Sequence, residues 1–410
     1  MTGRSLSVMF AANRIKMLSA LDIGFTSAFS MVASVAAARA LGVEAFGFFA
    51  VLWTLTLGLQ AVAQGGYVDV LLRLPRETSA AAIWGIDRWA APVLGVFAAL
   101  VILLTAFSSY NSLALIAAGT LSAYLLIRHT WTRAYMHSQG DAALSTAISA
   151  ILAIGSVVCL FGGVAFDLSG PWYVVCCILA PYSVASLLSL RYTRSVRADY
   201  DPSVRIWRWD YAMESALLVS SLHVASVMVV PALGLEFSAG VRGANLLLGP
   251  LSVLFGSLRL ILLPAFAGRS MGLRSMAAPA VIILLAAGLW ASLGWALLGA
   301  VGSSILGDAL GATITVFPWV AATYLLQGVY MVLFFASRAW VLDVHVRRAR
   351  AVMLIATGAA VAVAHITKVP DGYFVGTLTG SALAIAILAS GVSRNARRAS
   401  ARGRRAPKPS

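Results

Sequence analysis

The sequence predicts an all-α integral membrane protein with about twelve transmembrane helices in two pseudo-symmetric six-helix bundles around a central cavity. Hydrophobic residues make up 60% of the chain and charged residues 11%, and the mean hydropathy is +0.88. Water-soluble chains carry about a quarter charged residues. Apolar runs follow one another along the whole chain, and one segment of the first half recurs in the second. These observations lead to the predicted fold class.

Each apolar run is about 20 residues long, which is enough to cross a bilayer core of about 30 Å as a helix. The predicted spans of the first half are 17–38, 46–66, 89–107, 111–128, 142–164 and 171–190. Those of the second half are 211–232, 244–265, 277–299, 313–336, 350–367 and 373–392. A count of eleven or thirteen would also fit. The first run is interpreted as an uncleaved helix because it is long and carries Asp22.

The spans divide the chain into five segments. They are a cytoplasmic N-terminal segment (1–16), a first six-helix bundle (17–190), a cytoplasmic inter-bundle loop (191–210), a second six-helix bundle (211–392) and a basic cytoplasmic tail (393–410). The tail is predicted to be disordered and to lie on anionic lipid.

Basic residues are distributed unequally between the two sides of the predicted membrane. If the N-terminus is placed inside, the inner gaps collect Arg4, Arg14, Lys16, Arg73, Arg76, Arg88, Arg128, Arg133, Arg191, Arg194, Arg197, Arg205, Arg208, Arg269, Arg274, Arg338, Arg347, Arg348, Arg350 and the tail from Arg394 to Lys408. The outer gaps hold Arg39, Arg242 and Lys368. This asymmetry predicts that both termini are cytoplasmic. The net charge of +15 therefore reflects topology, and we expect no nucleic-acid partner.

The segment 20–44 aligns without a gap to 212–236. Val32-Ala33-Ser34-Val35 recurs as Val224-Ala225-Ser226-Val227, and Ala40-Leu41-Gly42-Val43-Glu44 recurs as Ala232-Leu233-Gly234-Leu235-Glu236. An even number of spans separates the copies, so both halves face the same way. Parallel repeats of this kind are typical of transporters whose substrate path lies between the halves.

Two acids occupy equivalent positions in the repeat, Asp22 and Glu214, roughly one helical turn inside the predicted cytoplasmic boundary. Ionisable side chains within a membrane are costly and are often functional. We therefore predict that Asp22, Glu214 and His223 act in gating or ion coupling. The alternatives are acids favoured by the positive end of a helix and a histidine that serves polar packing.

Other polar side chains form stripes that could line a hydrated cavity. Thr26, Ser30 and Ser34 follow Asp22 at intervals of four residues, which places them on one side of a helix. The predicted cavity residues are Thr26, Ser30, Gln60, Gln64, Arg259 and Gln327. Serine and threonine could instead pack helix against helix or bond to their own backbone, and Arg259 could extend to the inner interface.

The sequence gives no sign of an enzyme. It contains no GxxxxGK[ST], HExxH, GxSxG or CxxC motif. The loops between the predicted spans are too short for a separate catalytic domain. The three cysteines lie in predicted spans without metal-site spacing, and the neighbouring pair Cys176 and Cys177 is predicted to be reduced and buried. We expect neither a cofactor nor a metal.

The first predicted turn reads Ala38-Arg39-Ala40-Leu41-Gly42-Val43-Glu44-Ala45-Phe46-Gly47, and Arg73 follows the next span. This pattern resembles the Wzx-type polysaccharide and O-antigen flippases of the multidrug/oligosaccharidyl-lipid/polysaccharide (MOP) exporter superfamily. Its motif positions are Arg39, Gly42, Phe46, Gly47 and Arg73.

The resemblance implies two six-helix bundles that open alternately to each side. It also implies a substrate of oligosaccharide carried on undecaprenyl pyrophosphate. The chain is therefore predicted to be a bacterial inner-membrane flippase for exopolysaccharide or lipopolysaccharide synthesis, possible partners being a polysaccharide polymerase and a chain-length regulator. The alternatives are a multidrug or small-cation exporter of the same superfamily, a membrane glycosyl- or acyltransferase, and an assembly scaffold.

Overall fold

The computed structural model describes residues 3–63, 113–195, 216, 225–267, 273–340 and 342–405. Every regular element within these ranges is helical. The helices are α1 (Gly3–Ala40), α2 (Val43–Ala63), α3 (Leu113–Gln139), α4 (Ala142–Ala165), α5 (Pro171–Ser195), α6 (Ala225–Met228), α7 (Val230–Ala267), α8 (Leu273–Leu306), α9 (Leu310–Ala339), α10 (Asp343–Thr367) and α11 (Pro370–Arg405), with a 3-10 turn at Gly307–Ala309.

Seven described segments are long and apolar enough to cross a membrane: Met17–Ala40, Val43–Ala63, Ala142–Ala165, Pro171–Ser189, Met276–Arg338, Val344–Thr367 and Pro370–Arg397. The longest of them covers both α8 and α9. The protein is thus an all-α, multi-pass membrane protein, and the predicted fold class is confirmed.

The described helices coincide with ten of the twelve predicted spans. The span 89–107 lies outside the described residues, as does most of the span 211–232. Four of the described helices extend well beyond their predicted spans, namely α1 and α7 at their N-terminal ends and α3 and α11 at their C-terminal ends. Because α7 begins before its predicted span, Arg242 lies inside a helix, which corrects its predicted position in an outer loop. The tail was predicted to be disordered, but α11 continues to Arg405.

The repeat in the sequence corresponds to two turns at equivalent places in the two halves. Leu41 and Gly42 separate α1 from α2. The equivalent Gly234 interrupts α7 with φ 84° and ψ 171°, a conformation that glycine adopts without a Cβ penalty. The continuous part of α7 therefore begins just after Gly234. Each of the helices that follows carries a glutamate at its start, Glu44 and Glu236, where a negative charge suits the helix dipole.

Buried apolar side chains form two cores, one in each half. The first core is built on α1 to α5 and includes Phe29, Trp53 and Leu152, and the second is built on α7 to α11 and includes Phe255 and Leu388. Four residues of the second half, Val227, Leu235, Ala239 and Ala309, belong to the first core. The two halves therefore meet where the start of α7 packs against α1 and α2.

Large apolar side chains also cover the outside of the molecule. Phe161, Leu285, Leu289, Ile355 and Ile366 are between 68% and 82% exposed. Such a surface would aggregate in water but suits the hydrocarbon of a bilayer. Small residues allow the helices to pack closely, as where Gly376 and Gly380 lie against Ala360 and Ala356 of α10.

Candidate functional site

The most unusual polar cluster joins the two halves near the middle of the first span, and Arg242 of α7 is its centre. The Arg242 Nε donates to Ser34 Oγ at 3.0 Å, and its Nη2 donates to Ser34 Oγ at 2.5 Å and to Ser30 Oγ at 3.1 Å. Both serines lie on α1, one turn apart. The guanidinium of the second half is therefore hydrogen-bonded directly to the first half.

The third member of this cluster is Trp53 of α2. Its indole Nε1 donates to Ser30 Oγ at 3.1 Å, and the Arg242 guanidinium carbon lies 5.6 Å from the centre of its ring. A cation over an indole face is stabilised by about 0.5–2 kcal/mol, depending on its hydration. Trp53 is buried within the first core and stacks on Phe49, so it fixes one side of the arginine site rigidly.

Within the part of the chain that the structure describes, no carboxylate lies within 4.0 Å of the Arg242 guanidinium. Its electrostatic neighbour is Tyr324 of α9, whose hydroxyl lies 3.1 Å from that of Ser252. A cation within a membrane is costly, and such arginines commonly mark a substrate path. A half-buried arginine surrounded by neutral hydroxyls and two aromatic residues is well suited to receive an anionic group.

A second cluster lies within the first half and surrounds Asp22, which is fully buried. Its Oδ2 accepts hydrogen bonds from Arg133 Nε at 2.9 Å, Arg133 Nη2 at 2.8 Å and Ser145 Oγ at 3.0 Å, and it lies 2.9 Å from His137 Nε2. Asp22 thereby connects α1 to α3 and α4. Among the described residues, its hydrogen-bond partners lie in the first half.

We expect the Asp22→Ala variant to lose about 3–5 kcal/mol of stability, because it leaves the Arg133 guanidinium without its counterion in a buried site. The additional change Arg133→Leu should restore part of that loss, since it removes the uncompensated charge. Thermal unfolding in lipid nanodiscs, followed by circular dichroism, would measure both. Equal stability of the wild type and Asp22→Ala would show that the pair does not hold α1 against α3 and α4.

The structure places the other predicted site residues in different surroundings. Thr26 Oγ1 donates to the Asp22 carbonyl of its own helix, and Gln60 Nε2 donates to Thr130 Oγ1 of α3 at 2.9 Å. Gln327 is half-buried on α9, one turn after Tyr324. Arg259 lies on α7, but its side chain is not described. Glu214, His223, Gln64 and Arg73 lie outside the described residues, so their predicted roles stay predictions.

Three motif residues lie at the turn where the halves meet. Gly42 is exposed between α1 and α2, Phe46 is fully buried in the first core, and Gly47 packs directly on the backbone of Leu235. A Cβ at Gly47 would overlap the Leu235 carbonyl. Arg39 is exposed in the last turn of α1. The contact of Gly47 with Leu235 thus joins α2, just after the first copy of the repeat, to the end of the second copy.

Sequence reasoning missed Arg242 and Arg133 as site residues, since it assigned both to loops. A signal for Arg242 was nevertheless present in the repeat. Glu44 begins the second helix of the first half, and its counterpart Glu236 therefore begins the matching helix of the second half. Arg242 follows Glu236 by six residues, which places it nearly two turns inside that helix. At the same offset the first half carries Ala50, so the arginine breaks the symmetry.

No protein-family model matches the sequence, and no curated protein matches it. Solved structures do match, over nearly the whole chain. A multidrug resistance MATE family transporter of the MOP superfamily, in an inward-facing conformation, gives a TM-score of 0.69 at 12% identity, covering 93% of this chain and 96% of that chain. The chain has the fold of the MOP-superfamily transporters.

Two further structures extend this comparison. A multidrug resistance MATE family transporter in an outward-facing conformation gives a TM-score of 0.56 at 14% identity, covering 96% of this chain and 97% of that chain. A MOP superfamily transporter from Pyrococcus furiosus, described as having a binding pocket of reverse polarity that suggests a different function, gives 0.57 at 14% identity, covering 95% of this chain and 96% of that chain. These similar proteins are transporters rather than enzymes.

Proposed function

We propose that this MOP-fold protein is a flippase for saccharide units linked to a polyprenyl pyrophosphate. The observation that carries the proposal is Arg242, a cation at the junction of the halves with no carboxylate partner among the described residues. A guanidinium binds phosphate oxygens through short charge-assisted hydrogen bonds. The motif around Gly42 and Gly47, which resembles that of Wzx-type flippases, supports the same substrate class.

The depth of the site fits such a substrate. Ser30 and Ser34 lie in the interior of the segment Met17–Ala40, so a bound anion would be held roughly midway across the bilayer. Tyr324 and the neighbouring Gln327 offer polar groups for the saccharide, while the apolar outer surface would keep the lipid chain in the hydrocarbon. The pyrophosphate is the part that most needs a charged partner, because it is the costliest group to bring into the membrane.

We propose that the resting state is open to the inside. Two observations support this. The TM-score to an inward-facing structure, 0.69, exceeds that to an outward-facing one, 0.56. In addition, the halves contact each other at Gly47 and Leu235, which lie at the predicted outer end of their helices. The substrate would enter from the cytoplasmic side and leave after the halves separate at the outer end.

A multidrug or small-cation exporter is the second candidate, favoured by the multidrug transporters among the similar structures. A site for organic cations needs a negative charge that is available to the drug. The described candidate is Asp22, but its Oδ2 already accepts from Arg133 and Ser145 inside the first half. The positive charge of Arg242 would repel a cationic drug, so we favour the flippase.

The deciding experiment measures lipid-linked saccharide in a deletion strain, separated by leaflet with an impermeant sugar-modifying reagent. We expect the saccharide to accumulate on the cytoplasmic leaflet and to reach the outer leaflet again when the intact gene is restored. If outward exposure is normal in a strain without a second flippase, and the deletion instead sensitises cells to cationic drugs, the exporter takes the place of the flippase. The same strain, complemented with the gene fused to reporters at its termini, would test the proposed bacterial inner-membrane location with cytoplasmic termini. Co-purification from that complemented strain would test the partnership with a polymerase and a chain-length regulator.

A further inference from the structure

In this conformation the Arg242 guanidinium already donates hydrogen bonds to Ser30 and Ser34 of the opposite half. We infer that this contact, roughly midway across the bilayer, keeps the halves closed toward the outer side, and that the anionic group of the substrate separates them by competing with the serines for the guanidinium. The inference rests on the proposed function and adds to it a way in which substrate binding starts the conformational change.

The two serines are arranged as acceptors for a cation. Ser34 Oγ donates its own proton to the Ser30 carbonyl at 2.7 Å, so its lone pairs are left for Arg242. Ser30 Oγ accepts both from Trp53 Nε1 and from Arg242 Nη2, each at 3.1 Å. These neutral oxygens occupy the positions that phosphate oxygens would take. Phosphate oxygens bind a guanidinium more strongly than hydroxyls do, so the phosphate of the substrate can displace the two serine hydroxyls from Arg242.

The location of the contact explains why its loss would open the outer side. Arg242 follows Leu235 on α7 by about 10 Å of helix rise, and Leu235 packs against Gly47 at the outer end. One helix therefore carries both of these contacts, the outer one at Leu235 and the deeper one at Arg242. A ligand shifts such an equilibrium only if it binds the two states differently. Competition with Ser30 and Ser34 provides that difference.

The test uses the full-length protein in lipid nanodiscs, with Cys159, Cys176 and Cys177 replaced by alanine. Spin labels are attached through Phe166→Cys and Lys368→Cys, because these exposed positions lie at the predicted outer ends of the first and second half. Pulsed electron–electron double resonance spectroscopy measures the distribution of distances between the two labels. The probe is undecaprenyl pyrophosphate, and undecaprenol serves as its uncharged control. The matched variant control is Ser292→Ala, whose hydroxyl donates to the Gly288 carbonyl of its own helix.

We expect undecaprenyl pyrophosphate, but not undecaprenol, to enlarge the long-distance population of the wild type. The double variant Ser30→Ala/Ser34→Ala should populate the long distance without lipid and bind the pyrophosphate lipid about three- to tenfold more tightly, because no hydroxyl competes for Arg242. Weaker binding or unchanged distances in that variant would overturn the inferred contact and leave the flippase standing. Equal binding of undecaprenyl pyrophosphate and undecaprenol to the wild type would overturn the proposed function itself.

Discussion

Replacing Arg242 with glutamine is expected to abolish outward movement of the lipid-linked saccharide and to weaken binding of undecaprenyl pyrophosphate by about 100-fold. The reason is the loss of two charge-assisted hydrogen bonds of about 1.5 kcal/mol each. Arg242→Lys should fall between glutamine and the wild type, since lysine keeps the charge but cannot reach Ser30 and Ser34 with a planar fork. Binding is measured by titration in nanodiscs and transport by the leaflet assay.

The matched control for this prediction is Arg348→Gln, which removes the same charge from an exposed position near the start of α10. It should bind the pyrophosphate lipid as the wild type does, because it lies outside the junction of the halves. If Arg242→Gln and Arg348→Gln weaken binding equally, the lipid is attracted by net charge alone, and the specific site at Arg242 is wrong. A Tyr324→Phe variant would then show whether the neighbouring hydroxyl has any part in binding.

The sequence predicted the limits of the most apolar helices better than those of α3 and α7, for a physical reason. Hydropathy records the cost of placing a side chain in hydrocarbon, so helices that face lipid stand out as apolar runs. The helices α3 and α7 are not among the seven apolar segments of the described chain. They carry Arg133 and Arg242, which lower hydropathy and shortened the predicted spans at those residues. The helices that carry the two arginines of the candidate site are therefore ones whose limits hydropathy misplaces.

Contacts between distant segments could not be predicted from one sequence. Asp22 was identified because an acid inside an apolar run is unusual, but its partners Arg133, His137 and Ser145 had been assigned to loops or left unremarked. Likewise Ser30 was predicted to line a cavity without any sign that Arg242 would bind it. The spacing of polar residues along a helix gives the face they share, whereas the partner across the interface depends on how the helices pack.

The second large effect is expected for Gly47→Ala, because Gly47 of the first half packs directly against Leu235 of the second half. The new Cβ would overlap the carbonyl of Leu235, and backbone atoms cannot move aside as a flexible side chain can. Overpacking of this kind costs about 1–3 kcal/mol, and about 2 kcal/mol changes the ratio of two conformations by about 30-fold. Because the cost falls only on the state in which the outer end is closed, the variant should favour the separated halves.

The labels at Phe166→Cys and Lys368→Cys would show this as a long-distance population without any lipid, together with a loss of transport. The control is Gly162→Ala, which adds the same methyl group to a helical glycine with nothing within 4 Å and should leave distances and transport unchanged. If Gly47→Ala keeps the short distance and full transport, the overlap is relieved elsewhere and the outer contact does not define the closed state. Gly47→Ala could instead separate the halves while the variant still binds pyrophosphate lipid at Arg242. Unchanged binding with a longer distance would show that the closing contact and the binding site are distinct. The turn motif would then act on conformation, and Arg242 on substrate.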